Sequence, residues 1–219
     1  MGPPASGKGT QGRRLAEAQG CAYLSTGRQL RKEIEDDTRR GRLAETFLEK
    51  GQYVPDHLVV DLVNEWLGQA SRGWVLDGFP RTVAQATMLD EMLSESGDKV
   101  SLVLALEVPD DVLEARICGR WVHKASGRSY HVTNKPPKSL PEGAEPSVEN
   151  MLDDDTSEPL MQRGDDTKEA LADRLKNYHA QTVPILAHYE PTGAVVKANA
   201  NQPMDDVWAS CKTALGIAE

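Results

Sequence analysis

Met1-Gly2-Pro3-Pro4-Ala5-Ser6-Gly7-Lys8-Gly9-Thr10 opens the chain, and the spacing of Gly2 from Gly7-Lys8 decides how the rest is read. It is the spacing of a loop that wraps backbone N–H groups around a polyphosphate while its lysine reaches the outer phosphates. Glycines serve there because a Cβ would block a left-handed backbone or the close approach of phosphate oxygens. The stretch 10–18 reads as a helix, which aims a helix N-terminus at the anion. Gly9 follows Lys8 where Ser or Thr is usual, and the hydroxyl comes one residue later at Thr10. A floppy glycine-rich tail is the competing reading, and the downstream chain counts against it.

Outward from the loop, strand and helix patterns alternate. Gly20 is a C-cap for the first helix. Residues 21–24 are a strand candidate, and Ser25 or Thr26 caps a helix running through Leu30 and Ile34. The charged stretch 33–42 is expected to face solvent, and a short helix over 43–50 is expected to stop at Gly51. From Val54-Pro55-Asp56 onward, Leu58, Val59, Leu62, Val63, Trp66 and Leu67 recur at helical spacing. A strand over 74–76 ends at Asp77-Gly78-Phe79-Pro80-Arg81, a helix covers 82–94, and the apolar run 100–108 reads as a buried parallel strand. A helix then runs from Pro109-Asp110 to Arg120. This alternation predicts an α/β fold with a parallel sheet. Over 121–166 the apolar periodicity gives way to Gly, Pro, Ser and acidic residues, a stretch too long for a plain connector and so an inserted domain or mobile lid. Helix returns over 167–186, with Leu171, Leu175, Tyr178 and Val183 on or near one face, then a strand over 193–197 and a helix over 203–215.

Composition sets bounds. The chain has 219 residues, 39% of them hydrophobic but only 5% aromatic, so its core is mostly aliphatic. A net charge of −9 gives no general affinity for nucleic acid or anionic membrane, and any polyanion must be met by a local arginine cluster. Cys21, Cys118 and Cys211 are far apart and form no CxxC pair, which points to reduced thiols in an intracellular protein.

Several residues stand where chemistry would need them. Asp77 ends a strand, the place where open α/β sheets bind ligands, and could hold Mg²⁺ through water; capping a helix is its bland alternative. Arg116 and Arg120, four apart on one expected helix, would share a face. Arg31 and Arg81 follow separate turns, and Arg163 and Arg174 lie past or border the insertion. Phosphoryl transfer needs such groups to clamp the moving charge while water is kept out. In the insertion, His123, Ser126, Asp153 and Thr156 make a poor zinc set and a better hydrogen-bonded cluster.

These residues resemble the adenylate kinase family in its long-lid form. The resemblance rests on Gly-Pro-Pro-Ala-Ser-Gly-Lys-Gly-Thr-Gln (2–11), Ser-Thr-Gly-x-x-Leu-Arg (25–31), and Asp-Gly-Phe-Pro-Arg-Thr with Gln85. It extends to Gly-Arg-x-x-His-x-x-Ser-Gly-Arg-x-Tyr-His with Asn-Lys-Pro-Pro-Lys (119–138) and to Glu-Pro-Leu-x-x-Arg-x-Asp-Asp (158–166). It implies a P-loop parallel sheet with core segments 1–24, 55–118 and 167–219, an AMP-binding insertion at 25–54 and a lid at 119–166. The implied reaction is ATP + AMP ⇌ 2 ADP with Mg²⁺. Lys8, Arg81, Arg120, Arg163 and Arg174 would act on the transferring phosphates, and Asp77 would hold the metal through water, with no zinc. ATP would lie along Gly2, Ala5, Ser6, Gly7, Lys8, Gly9, Thr10, Arg116, Arg120, Tyr130 and Gln202. AMP would meet Thr26, Gly27, Arg31, Gln52, Tyr53, Val54, Gly78, Phe79, Arg81, Gln85, Arg163 and Arg174. A monomer is expected, without nucleic-acid or membrane partners, in the cytoplasm or alternatively the mitochondrial intermembrane space.

The chain departs from the family pattern in places. Ala5 stands where glycine is usual, Arg28 replaces an Asp that helps organise the metal, and 139–150 is a longer, Pro- and Glu-rich stretch expected to be flexible. A GTP-using kinase and a catalytically weakened nucleotide-binding relative are the alternatives. With only Met1 ahead of Gly2, the strand that normally precedes such a loop is expected to be missing, leaving two inner sheet edges and an apolar slot; the chain then reads as an N-terminally shortened kinase.

Overall fold

The computed structural model describes residues 1–50, 52–70 and 72–217; the helix stop expected at Gly51 lies outside them. It is a mixed α/β structure in which short parallel strands are flanked by helices. α1 (Lys8–Gln19) leaves the N-terminal loop and ends at Gly20, whose left-handed backbone (φ 63°) closes the helix. β1 (Ala22–Ser25) pairs in parallel with β2 (Trp74–Asp77), Ala22 opposite Trp74 and Ser25 opposite Asp77. Between them in sequence come α2 (Thr26–Glu35), α3 (Arg39–Leu48) and α4 (Asp56–Leu67). α4 buries Val59, Leu62 and Val63 against Leu24, Leu30, Phe79, Leu89 and Leu93. α5 (Val83–Glu95) begins at Thr82, whose side chain accepts from the Gln85 N–H.

β3 (Val103–Glu107) pairs in parallel with β6 (Val195–Asn199). α6 (Leu113–Cys118) then leads into the antiparallel pair β4 (Arg120–Val122) and β5 (Ser129–His131). With Met151 and Leu160 these strands enclose a small core of their own, built on Trp121 and Tyr130. Residues 139–150, expected to be flexible, form turns pinned by Ser139, whose Oγ donates to the Asn150 carbonyl at 2.9 Å and accepts from the Leu152 N–H at 3.0 Å. The chain returns through α7 (Lys168–Asn177), a π-helical turn and α8 (Pro184–Tyr189), and closes with β6 and α9 (Met204–Leu215).

The structure corrects three sequence-based expectations. The apolar run 100–108 is a strand only over Val103–Glu107, where β6 gives it a ladder; Val103 N–H begins that ladder on the Ala194 carbonyl at 2.9 Å. The helix expected to reach Arg120 ends at Cys118 with Gly119 as its cap, so Arg120 lies in β4 and shares no helix face with Arg116. The charged stretch 33–42 is not uniformly solvent-facing: the Glu33 and Arg40 side chains are only 15% and 20% exposed, because Arg40 pairs with Glu33 at 3.6 Å and with Glu65 at 2.9 Å.

The parallel strands form two separate sheets, β1–β2 and β3–β6. Met1 lies at the gap. Its amine donates to the Leu104 carbonyl, and its own carbonyl accepts from Leu106 N–H at 2.9 Å. That is the bonding pattern of a parallel strand residue opposite Ala105. A cavity of about 1290 Å³ follows the gap, with Trp74, Val75 and Leu76 on one wall and Leu102, Val103 and Leu104 on the other, and opens onto the N-terminal loop. Burial lowers the Met1 amine to about 5, with Lys8 adding to the effect. Placing four or five β-branched apolar residues ahead of Met1 should let a strand bond both edges, each buried side chain adding about 1.5–3 kcal/mol. Scanning calorimetry should show a higher Tm for that extension and none for a Gly/Ser extension of equal length.

Candidate active site

The N-terminal loop gets its shape from close backbone packing. Gly2 (φ 148°) lies so near β3 that a Cβ would come within 2.9 Å of the Leu106 carbonyl oxygen. Ala5 adopts φ 59°, so the residue that departs from glycine occupies a left-handed backbone that costs a Cβ-bearing residue stability. Ser6 is buried, and Gly7 (φ 90°) turns the chain into α1. Lys8 donates to the Pro3 carbonyl at 2.6 Å and approaches Ser6 Oγ at 3.5 Å. Burial lowers its amine to about 7, with Arg81, Arg174 and Arg120 pushing the same way and Asp77 opposing. Gly9 faces Asp77, where a Cβ would stand 3.5 Å from Oδ2, and Thr10 lines the same cavity.

Of the twelve lysines and arginines lining this cavity, six from different parts of the chain lie close enough to repel one another: Lys8, Arg31, Arg81, Arg120, Arg163 and Arg174. Two aspartates hold three of them. Arg120 forks onto Asp166, its Nε donating at 2.8 Å. Arg174 reaches Asp165 at 3.2 Å and Asp166 at 3.7 Å, and Arg31 reaches Asp165 at 3.3 Å. Arg163 is lowered to about 9, by burial first and then by Arg120 and Arg31. Arg81 donates from Nε to the Gly78 carbonyl at 2.9 Å and lies 5.2 Å from the centroid of the Tyr53 ring. So much buried positive charge is a seat for a polyanion.

Beside it, Thr26, Gly27, Gln52, Tyr53, Val54, Gly78, Arg81 and Gln85 line a second, smaller cavity. Thr26 Oγ1 donates to the Gly78 carbonyl at 3.0 Å. The buried Gln85 amide is aimed from both ends: its oxygen accepts from Arg81 N–H and its nitrogen donates to Asp56, each at 2.7 Å. Phe79 and Val54 instead turn their side chains into the core under this pocket.

At the opposite end, Arg116 donates to the Ala200 carbonyl at 3.0 Å, beside Gln202, whose amide donates to Ser210 at 2.7 Å. Both line the large cavity, as does Tyr130, whose hydroxyl is committed to Asp153 at 3.0 Å. The expected cluster in the insertion forms. His123 Nδ1 meets Ser126 Oγ at 2.8 Å, and Thr156 Oγ1 donates to Asp153 at 3.0 Å. The other ring nitrogen is taken by Glu158 at 2.6 Å, and Asp153 also accepts from Arg128 Nε at 2.8 Å, so these lone pairs are already occupied.

Sequence reasoning missed four residues that aim the others. Asp165 and Asp166 lie inside the 158–166 motif, and their adjacency to Arg163 was the available signal. Asp56 reads as the start of a helix and instead orients Gln85. Tyr23, whose hydroxyl donates to Asp77 Oδ2 at 2.8 Å, gives no local signal.

Comparison with known proteins gives the arrangement its context. A family model described as adenylate kinase matches residues 1–194. An adenylate kinase of Vanderwaltozyma polyspora is 44% identical over 219 residues, covering 99% of this chain and 94% of that protein. An adenylate kinase of Botryotinia fuckeliana is 41% identical over 220 residues, covering 99% of this chain and 75% of that one. Identity of this extent, over a loop and an arginine cluster suited to phosphates, identifies the chain as a member of the adenylate kinase family of phosphotransferases.

Proposed function

We propose that the chain catalyses ATP + AMP ⇌ 2 ADP in the large cavity, and the observation that carries this is the convergence there of Lys8, Arg31, Arg81, Arg120, Arg163 and Arg174. In this reading, Gly2, Ala5, Ser6, Gly7, Lys8, Gly9 and Thr10 cradle the donor phosphates, and Arg116 and Gln202 flank the donor base, with Tyr130 on the insertion side. Arg31 and Arg81 hold the acceptor phosphate, while Thr26, Gly27, Gln52, Tyr53, Val54, Gly78 and Phe79 form the acceptor pocket with Gln85. The core comprises 1–24, 55–118 and 167–219, with 25–54 as acceptor insertion and 119–166 as lid. A monomer in the cytoplasm, without zinc, completes the reading.

The acceptor phosphate is itself the nucleophile, so no serine or histidine base is needed and catalysis is positioning, charge and dehydration. Between turnovers Asp165 and Asp166 keep Arg31, Arg120 and Arg174 oriented. As phosphates arrive, Arg120, Arg163, Arg174 and Lys8 meet the three charged oxygens of the moving group, and the lid excludes water. Asp77 would hold Mg²⁺ through water. A hard oxygen donor suits that ion, and Gly9, lacking a side chain, leaves room beside the carboxylate, of which Tyr23 takes only Oδ2. When bound, the ion neutralises charge on the donor phosphates.

Lys8→Met should abolish ADP formation in a coupled assay while calorimetry shows an intact fold; unchanged turnover would refute the loop's role. AMP should be preferred over CMP, UMP and GMP. Gln85→Ala should weaken AMP by about 1–3 kcal/mol, because a buried polar edge loses its partner; equal parent rates with CMP would refute the pocket.

The lowered Lys8 amine has a pH consequence. Its folded value near 7 lies below the ordinary 10.5, so the unfolded chain binds more protons across that window and stability rises with pH through it. Bound phosphate favours the ammonium and reverses the shift. Titration calorimetry above pH 7.5 in buffers of different ionisation enthalpy should therefore show proton uptake on nucleotide binding, absent in Lys8→Met.

A further inference from the structure

Arg13 and Tyr23, which the phosphate-binding roles do not use, form a continuous path from the lid to Asp77. At the lid tip, Arg13 of α1 donates to the Ser126 carbonyl at 3.0 Å and to the Gly127 carbonyl at 3.1 Å. The same guanidinium lies 5.4 Å from the centroid of the Tyr23 ring, within cation–π range. Tyr23 is in β1, directly across the ladder from Val75, and its hydroxyl donates to Asp77 Oδ2 at 2.8 Å. A second arginine shares the lid end: Arg28 of α2 donates to the Ala125 carbonyl at 2.6 Å. Both pack tightly on the tip. Gly127 has φ 68°, and a Cβ there would meet Arg13 Nη2 at 2.8 Å and Arg28 Cδ at 3.0 Å. Lys124 adds a salt bridge to Glu35 at 3.3 Å.

We infer that Arg13 and Tyr23 are positioning residues that couple lid docking to the orientation of the Asp77 carboxylate, with Arg28 as an additional lid clasp. The docked lid offers consecutive backbone carbonyls to Arg13 and fixes its guanidinium over the phenol. A fixed cation over the ring holds Tyr23 in place, and Tyr23 then holds one Asp77 oxygen while the other stays free. Arg28, which occupies the place of an expected carboxylate, serves here as a donor to the lid and not as a metal-side acceptor. Coupling runs both ways, so loosening Asp77 or Tyr23 must also loosen the lid. The functional value of this link rests on the reading that Asp77 holds Mg²⁺, but the link itself is testable without metal.

The test places fluorescent unnatural amino acids at exposed positions 142 and 206 and measures the lid-to-core distance in the nucleotide-free, metal-free protein. Arg13→Gln, which removes the cation, should lower the closed-to-open ratio by about tenfold, the size of one to two hydrogen bonds to a charged group. Tyr23→Phe keeps the ring but loses the bond to Asp77, and Asp77→Asn weakens it from the other side; each should lower the ratio by a few-fold although neither touches the lid. The Arg13→Gln/Tyr23→Phe double variant should fall short of the product of the single effects. An unchanged ratio in Tyr23→Phe and Asp77→Asn, or full additivity in the double variant, overturns the coupling. Mn²⁺ binding to the ADP complex separates the two ideas. If Asp77→Asn weakens Mn²⁺ while Tyr23→Phe leaves the lid unmoved, the coupling fails and the metal reading stands. If the lid responds while Mn²⁺ is indifferent to Asp77→Asn, the coupling stands and the metal reading fails.

Discussion

Buried positive charge is the constraint on which this structure depends. The chain carries −9 overall, yet Lys8, Arg31, Arg81, Arg120, Arg163 and Arg174 are drawn into one cavity. Such a cluster repels itself and loses hydration, and the lowered Lys8 and Arg163 values record that cost. Asp165 and Asp166 offset it by accepting from Arg31, Arg120 and Arg174, which also fixes where the guanidiniums point. An arriving polyphosphate completes the charge balance. In the proposed reading, binding and catalysis draw on the same electrostatic imbalance that makes the cluster costly.

The scaffold that presents this cluster is divided. Two parallel pairs hold the two halves, and Met1 bonds to the β3 edge through Leu104 and Leu106. The loop is thus tied to β3 by a single residue and by the close seat of Gly2 on Leu106. Ala5 adds a left-handed backbone without glycine's freedom.

The insertion is, by contrast, internally complete. Trp121, Tyr130, Met151 and Leu160 give it a core, and the Arg128–Asp153–Tyr130–Thr156 and His123–Ser126–Glu158 bonds bind its loops together. A body that is stiff within itself can dock or leave as a unit; residues 124–127 meet Arg13, Arg28 and Glu35, while Asp165 and Asp166 at its border meet Arg31 and Arg174. In the coupling inferred above, the position of the insertion would be read through Arg13 and Tyr23 without any unfolding.

The sequence by itself determined the alternation of strands and helices outside 121–166, the glycine-rich loop ahead of α1 and the family, because these rest on local spacing: glycines where φ is positive, apolar residues at helical or strand period, and short motifs in order. Only the tertiary structure decided where long-range polar groups meet. That Arg120 leaves the helix for β4 depended on Gly119 capping α6 and on β5 lying ready to pair. That Glu33 and Arg40 are shielded depended on α3 folding back against α2 and on Glu65 of α4 reaching them. That Asp56 aims Gln85, and Tyr23 aims Asp77, follows from contacts 29 and 54 residues apart in sequence. A side chain's hydrogen-bond partner is chosen by the packing of whole elements, and no local pattern carries that information.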